Sequence, residues 1–252
     1  MINFFRKIRR KYADDNKPLK YARYAIGEIL LVVIGILIAL QVNNWNEEKK
    51  TRAVELNYLE NIKSDLELNL VELKEFIVER QKSIKASDSI LVMFEDGAEL
   101  DMNAFNRYSI NVMVWFPLEY HDNTYQELVN SGKLSIISNK VIKNHLQNMQ
   151  TSFKKVVFIE NEMQQDFESY MYDPFFNIAD LKTSFDNYNA QLLKLSPDKL
   201  LDSSQVKTLL KHQAYKNGFV LSAYNSELLI SEYSKVIQTT NQLIDLIDEE
   251  LN

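Results

Sequence analysis

Histidine, the side chain most often used as a metal ligand or proton carrier near neutral pH, occurs only at His121, His145 and His212 in this chain of 252 residues. No two of them stand three or four residues apart, and none belongs to an E-x-x-H pair of the kind that builds carboxylate-bridged metal centres in helical bundles. Cysteine is absent, which excludes disulfides and thiolate metal sites. The sequence therefore predicts no metal site and no cofactor.

Motifs for phosphate binding and nucleophilic catalysis are equally weak. Ser131-Gly132-Lys133 lacks the upstream glycine of a P-loop, and a helix C-cap followed by a turn explains it better. No G-x-S-x-G motif occurs. We predict no catalytic residue and expect that the protein is not an enzyme. A carboxylate-based enzyme acting on envelope material stays open as an alternative, because the spacing of acidic side chains in a bundle is not visible in sequence.

Glu160 is a charged residue in an otherwise apolar stripe. Between residues 142 and 170 apolar side chains recur in two rows at seven-residue steps, one of them ending at Tyr170, and Glu160 stands in the other. A buried carboxylate in a helical bundle is a functional-site candidate. We therefore take Glu160 as a candidate buried charge, with the alternative that it lies at the helix edge and reaches water.

Glu28 is a second acidic residue in apolar surroundings, about one turn inside a long apolar run. Acidic residues inside a membrane are costly and often functional. Gly27, Gly35 and Ala39 fall on one helix face, and Gly35 and Ala39 have the small-xxx-small spacing that lets membrane helices pack closely. These four residues are candidates for a helix-helix contact in the membrane. The alternative is that Glu28 extends its carboxylate to the nearby interface.

The apolar run itself predicts a transmembrane helix over residues 24–45. Residues 29–40 carry no polar side chain. Tyr24 and Trp45 flank the run at a separation of about 31 Å of helix, close to the thickness of a bilayer's hydrocarbon core. Aromatic residues at these depths are typical interface anchors. Because no small-x-small cleavage site follows the run, we predict an uncleaved anchor in the lipid bilayer.

Charge asymmetry predicts the orientation of this anchor. Residues 1–23 contain eight basic and two acidic side chains, which favours a cytoplasmic N-terminus by the positive-inside rule. Residues 43–252 contain 21 basic and 32 acidic side chains and are predicted to lie outside the cytoplasm. We expect the basic segment to lie on the anionic membrane surface, and we predict no nucleic-acid partner.

Helical periodicity and scarce chain breakers, five glycines and four prolines, predict an all-α fold. The transmembrane helix is expected to continue into an extracytoplasmic helical bundle over residues 46–252. Its first long helix, 55–94, has rows through Leu73 and then Ile77, with a phase shift between them. A second long helix is predicted from a Ser138 cap to Asp173-Pro174, and the last begins at Ser203 or Ser204.

The N-terminal residues also resemble a known family. MINFFRKIRRKYADDNKPLKY followed by YAIGEILLVVIGILIALQVNNWNEEKK is similar to the N-terminal signature of a large family of bacterial single-span membrane proteins of unknown function. TYQELVNSGKLSIISNK, residues 124–140, resembles a second block of that family. The resemblance implies a Gram-negative inner membrane, in which the C-terminal domain that the charges place outside the cytoplasm is expected to be periplasmic. It implies no activity and supplies no catalytic residue.

Together these patterns favour a membrane-anchored helical domain that acts through contacts with another protein or with itself, through the span and the bundle. A ligand-binding sensory bundle that signals through a partner is the first alternative. The carboxylate-based enzyme is the second.

Overall fold

The computed structural model describes residues 18–114, 116–197 and 199–252, so most of the basic segment lies outside the described residues. All regular structure within these ranges is helical, which confirms the predicted all-α class. The chain divides into two compact units, residues 1–56 and 57–252.

Helix α1, Pro18–Leu91, begins in the first unit and ends in the second. Pro18 suits the first turn of a helix, where its missing N–H has no helical partner. No other proline interrupts the helix. In the first unit, α1 contains a segment that is long and apolar enough to cross a membrane. The apolar side chains of this segment are exposed, with Leu31 as the extreme at 67%.

Seven further helices follow in the ranges described. They are α2 (Met102–Met113), α3 (Asn123–Asn130), α4 (Lys140–Asp166), α5 (Asp173–Ile178), α6 (Leu181–Leu192), α7 (Ser203–Leu209) and α8 (Gln213–Leu251). Short 3₁₀ turns lie at Val92–Phe94 and Lys133–Ile136, and π-helical turns at Phe167–Tyr172.

Three long helices form the second unit, namely the part of α1 within it, α4 and α8. Both α1 and α4 run antiparallel to α8. Lys63 on α1 contacts Asp248 near the end of α8, whereas Phe94, just after α1, contacts Tyr215 near its start. Contacts from α4 to α8 have the same order and join Asn139 to Glu250, Lys155 to Glu232 and Asp166 to Asn225.

Large apolar side chains from all three long helices fill the core, as the predicted stripes require. Phe105 on α2, Phe175 on α5 and Phe167 on the π-helical turns join them. The largest fully buried side chains include Leu59, Leu73, Ile90, Phe105, Phe153, Phe167, Phe175, Tyr215, Phe219 and Tyr233. Aromatic side chains bury large apolar areas and dominate the energetics of such a core.

Two details of the predicted rows are wrong. On α1 there is no phase shift, because the buried row continues from Leu73 at seven-residue steps through Arg80 and Ser87. Near the end of α4 the row that was predicted to reach Tyr170 reaches Met171 instead, and Tyr170 is 37% exposed. The wider π-helical turns rotate this part of the chain out of step with the α-helical period.

Several predicted helix ends are also corrected. Asn139, not Ser138, caps α4, because its side-chain oxygen accepts from the N–H groups of Val141 and Ile142 at 2.9 and 3.3 Å. Asp173-Pro174 does not end the helical path, since proline fits the first turn of α5.

The last long helix begins later than predicted. Ser203 starts only α7, whose capping residue is Asp202. A turn separates α7 from α8, which begins at Gln213. The predicted C-cap at Gly132 is confirmed, since Gly132 has φ 70° after α3. Asp101 caps the start of α2 by accepting from the N–H of Ala104.

Candidate functional site

Glu160, the candidate buried charge, lies on α4 in the interior of the second unit and is 2% exposed. Both carboxylate oxygens accept from the backbone N–H of Leu118 at 3.2 Å. The hydroxyl of Tyr233 on α8 donates to Glu160 Oε1 at 2.7 Å. The alternative, that Glu160 lies at the helix edge and reaches water, is therefore wrong.

Arg80 on α1 supplies a positive charge to the same buried cluster and is 4% exposed. Its Nη2 donates to the carbonyl oxygen of Phe116 at 3.4 Å, and its Nη1 lies 3.7 Å from Met163 Sδ. The guanidinium carbon lies 5.9 Å from the centre of the Phe76 ring, within the range of a cation–π contact. We call Arg80, Glu160 and Tyr233 the polar cluster.

Burial controls the protonation of the polar cluster. Desolvation raises the pKa of Glu160 above its ordinary value, while the Tyr233 hydroxyl, the Leu118 N–H and the charge of Arg80 each lower the pKa. Burial also raises the pKa of Tyr233, with the charge of Arg80 opposing and that of Glu160 reinforcing the rise. Tyr233 therefore remains a protonated donor across the physiological range, and its hydrogen bond to Glu160 persists.

The polar cluster holds down the connection between α2 and α3, whose residues 116–122 we call the strap. Phe116 and Leu118 are bound through their backbones by Arg80 and Glu160. Tyr120 stacks on Phe153 of α4, with ring centres 4.1 Å apart.

The far end of the strap is bound to α1. Asn69 donates to the carbonyl oxygen of His121 and accepts from its N–H, both at 2.7 Å. The ring of His121 lies 3.0 Å from a carboxylate oxygen of Glu72. Buried or half-buried polar side chains thus bind the strap at both ends and satisfy four of its backbone groups, the carbonyl oxygen of Phe116, the N–H of Leu118 and both groups of His121.

The chemistry available at the polar cluster is limited by its enclosure. Within the described residues Glu160 accepts from Leu118 and Tyr233. A hollow beside the strap, lined by Asn69, His121 and Phe153 among others, has a volume of about 20 Å³. That volume holds about one water molecule. No group of three or more metal-ligating side chains occurs among the residues for which the structure gives positions. The polar cluster positions the backbone of the strap.

The candidate membrane residues lie on the first-unit part of α1. A side-chain carbon added at Gly27 or Gly35 would meet no atom within 4 Å, so both positions have open space around them. Ala39 is exposed, and Trp45 is 64% exposed. The side chain of Tyr24 lies outside the described residues. The membrane contact predicted for Gly27, Glu28, Gly35 and Ala39 stays a prediction.

Sequence reasoning identified Glu160 but missed Arg80 and Tyr233. Arg80 carries the signal that identified Glu160, a charge in an apolar seven-residue row, since it follows Leu66 and Leu73. The predicted phase shift removed Arg80 from that row. Tyr233 gave no signal, because a tyrosine in an apolar stripe is ordinary core.

Comparison with protein families identifies the family of the chain. The sequence model of a family described as "Family of unknown function (DUF6090)" matches residues 28–211. The chain belongs to the DUF6090 family. The DUF6090 match includes Arg80, the strap and Glu160 and ends before α8, which carries Tyr233. No curated protein and no solved structure matches the chain.

Proposed function

We propose that this DUF6090 protein is anchored in the inner membrane by one span, with a cytoplasmic N-terminus, and that its periplasmic helical unit acts by binding another protein without catalysis. The observation that carries the proposal is the exposure of the apolar side chains of α1 between residues 29 and 40.

The anchoring is supported by what surrounds those side chains. The large apolar ones between residues 29 and 40 are 44–67% exposed. Isolated apolar side chains on a protein surface are common, but a continuous apolar surface of this length is covered by lipid or by another protein. Lipid fits best, because the apolar surface encircles the helix and Trp45 stands at its end as an interface anchor. The basic residues before the span support the orientation.

Binding through the helical unit is supported by the surface that the polar cluster maintains. Phe116 is 69% exposed, although its backbone carbonyl is bound to the buried Arg80 and the N–H of Leu118 to the buried Glu160. An aromatic ring held at the surface by a fixed backbone loses little freedom when a partner covers it. Large apolar anchors of this kind carry most of the energy of protein interfaces. Phe116 is therefore our candidate contact residue.

Photo-crosslinking in native membranes tests the partner. A photoreactive phenylalanine analogue at position 116 of the full chain should form an adduct with a second, different protein, which mass spectrometry identifies. The same analogue at Val141, which is 52% exposed at the start of α4, serves as the control and should give no such adduct. If position 116 gives only adducts with its own copies or none, the partner proposal is wrong.

A reporter fused after Asn252 tests the orientation. We expect activity from a reporter that works only in the periplasm. Activity confined to a cytoplasmic reporter would reverse the orientation while leaving the span in place.

Ile34→Lys places a charge in the middle of the span, at a cost of about 3 kcal/mol for insertion, and should lower the membrane-bound fraction.

A further inference from the structure

Three leucines are exposed at the end of α6 in the second unit. Leu192, Leu193 and Leu195 are 64%, 70% and 63% exposed, although Leu201 a few residues later is buried. We call residues 192–195 the leucine turn. Phe185, about two turns earlier on α6, is 44% exposed and extends the apolar surface towards the start of the helix.

The leucine turn has a fixed conformation. The N–H of Lys194 donates to the carbonyl oxygen of Gln191 at 3.0 Å, and the N–H of Leu195 donates to that of Ala190 at 2.8 Å. These two bonds form a Schellman motif, which normally has glycine at its left-handed position. Lys194 occupies that position here with φ 56°. The leucines are thus presented outwards by a defined turn in which a lysine adopts an unfavourable backbone conformation.

One lysine lies among the leucines. Lys182 and Lys199 lie instead near the start of α6, where Lys182 pairs with Asp186 and Lys199 lies 3.9 Å from Asp180. Lys194, within the turn, has no ion-pair partner among the residues that the structure places. The turn therefore presents aliphatic side chains with an uncompensated ammonium group between them, on a chain whose net charge is −6.

We propose that the leucine turn docks on a phospholipid surface, as a second membrane contact besides the span; the proposal rests on the membrane anchoring proposed above. Aliphatic side chains next to lysine enter the boundary between acyl chains and headgroups, where lysine meets anionic phosphate. A protein partner fits less well, because interface hot spots are rich in tryptophan, tyrosine and arginine, and leucine is under-represented among them.

Because the chain has no cysteine, single labels can be placed without other changes. We suggest Leu193→Cys, Ile34→Cys and Val141→Cys in the full chain, each labelled with an environment-sensitive fluorophore and reconstituted into vesicles of phosphatidylethanolamine and phosphatidylglycerol. Nitroxide-labelled lipid should quench the label at 193 at least about twofold more than that at 141, and iodide should quench it less. The label at 34 reports the span.

The three labels separate failure of this inference from failure of the anchoring. If lipid quenches the label at 34 but the label at 193 behaves like that at 141, the leucine turn does not bind lipid and the anchoring stands. If lipid quenches neither 34 nor 193, the anchoring itself is wrong. Protection of the label at 193 from iodide in detergent without vesicles would mean that protein covers the turn, which also overturns the proposal.

Two further arms sharpen the result. Nitroxide lipid is placed either in the host vesicles or in added vesicles, which distinguishes the membrane that holds the span from a facing one; quenching in either arm supports the proposal. Leu192→Ser with Leu195→Ser should reduce the lipid quenching at 193 at least about twofold, because the remaining apolar surface is too small to insert. Unchanged quenching in this variant would contradict a role for the leucines.

Discussion

Residues 29–40 of α1 expose apolar side chains, whereas the polar cluster of the second unit buries charged ones. Each region reverses the usual distribution of residues between surface and interior. They differ in where their partners lie. Glu160 and Arg80 bind groups of the same chain, the backbone of the strap among them. The apolar side chains of residues 29–40 have no such cover among the residues described here.

This difference decides which region carries functional information. A buried charge whose partners belong to the same fold is explained by that fold, because the partners offset its desolvation. An exposed apolar surface without an internal partner calls for one outside the chain. The unusual charge at Glu160 is therefore explained by the architecture, whereas the exposed apolar part of α1 is consistent with a membrane span.

The largest effect is expected from breaking the polar cluster. Arg80→Ala leaves the Glu160 carboxylate buried without its cation and should lower the free energy of unfolding of the second unit by about 3–5 kcal/mol. Urea unfolding of the full chain in detergent, followed by circular dichroism, measures it. Glu162→Gln, at an exposed site two residues from Glu160, is the matched control and should change stability by no more than about 0.5 kcal/mol. If the two variants have the same free energy of unfolding, the polar cluster does not stabilise the second unit.

The next largest effect is expected from adding a side chain to the packed core of the second unit at Gly218. A side-chain carbon added at Gly218 on α8 would lie 2.2 Å from Met171 Cγ, so Gly218→Ala should cost about 1–3 kcal/mol. In a Met171→Ala background the same substitution should be neutral or stabilising, since alanine favours the helix. Thermal unfolding of the four proteins gives the coupling energy. If the two substitutions change the free energy of unfolding additively, the lack of a side chain at Gly218 is not needed for Met171 to pack against α8.

A smaller effect concerns the cost of burying Glu160. Because burial raises its pKa, the folded chain binds a proton more tightly than the unfolded chain, whose glutamate pKa is near 4.5. Stability from this group is present below 4.5 and is lost as the pH rises through the raised pKa. The unfolding free energy of wild type minus that of Glu160→Gln should therefore fall as pH rises above 4.5. Parallel pH profiles for the two proteins would contradict the raised pKa.

The smallest effect separates buried polar groups that have partners from those that have none. The hydroxyl of Ser226 on α8 is buried and makes no hydrogen bond with the residues described, so Ser226→Ala should be neutral or stabilising by a few tenths of a kcal/mol. The buried hydroxyl of Ser184 donates to the carbonyl oxygen of Asp180, and Ser184→Ala should cost about 0.5–1.5 kcal/mol. Chemical unfolding of both variants measures the contrast. A loss at Ser226 equal to that at Ser184 would show that its hydroxyl is bound.

Sequence alone predicted the parts of this architecture that rest on local patterns. The place of Glu160 in a helical stripe, which made it a candidate buried charge, follows from helical spacing. The C-cap at Gly132 follows from the tolerance of glycine for the left-handed backbone region. The strap was not predicted, because Asn69 and His121 contact each other across 52 positions of sequence. The π-helical turns at Phe167–Tyr172 were also missed, since no local residue pattern marks the change of period.

The central claim is that residues 29–40 of α1 lie in lipid. Single cysteines at successive positions of this range, each spin-labelled in the reconstituted full chain, report contact with oxygen, which concentrates in lipid, and with a water-soluble nickel complex. We predict high oxygen and low nickel accessibility at every position outside the face of Gly35 and Ala39, because the described residues cover no side of the helix here. Shielding of the Gly35 and Ala39 face from both reagents would show the predicted helix-helix contact within lipid, whereas nickel accessibility throughout would contradict the account.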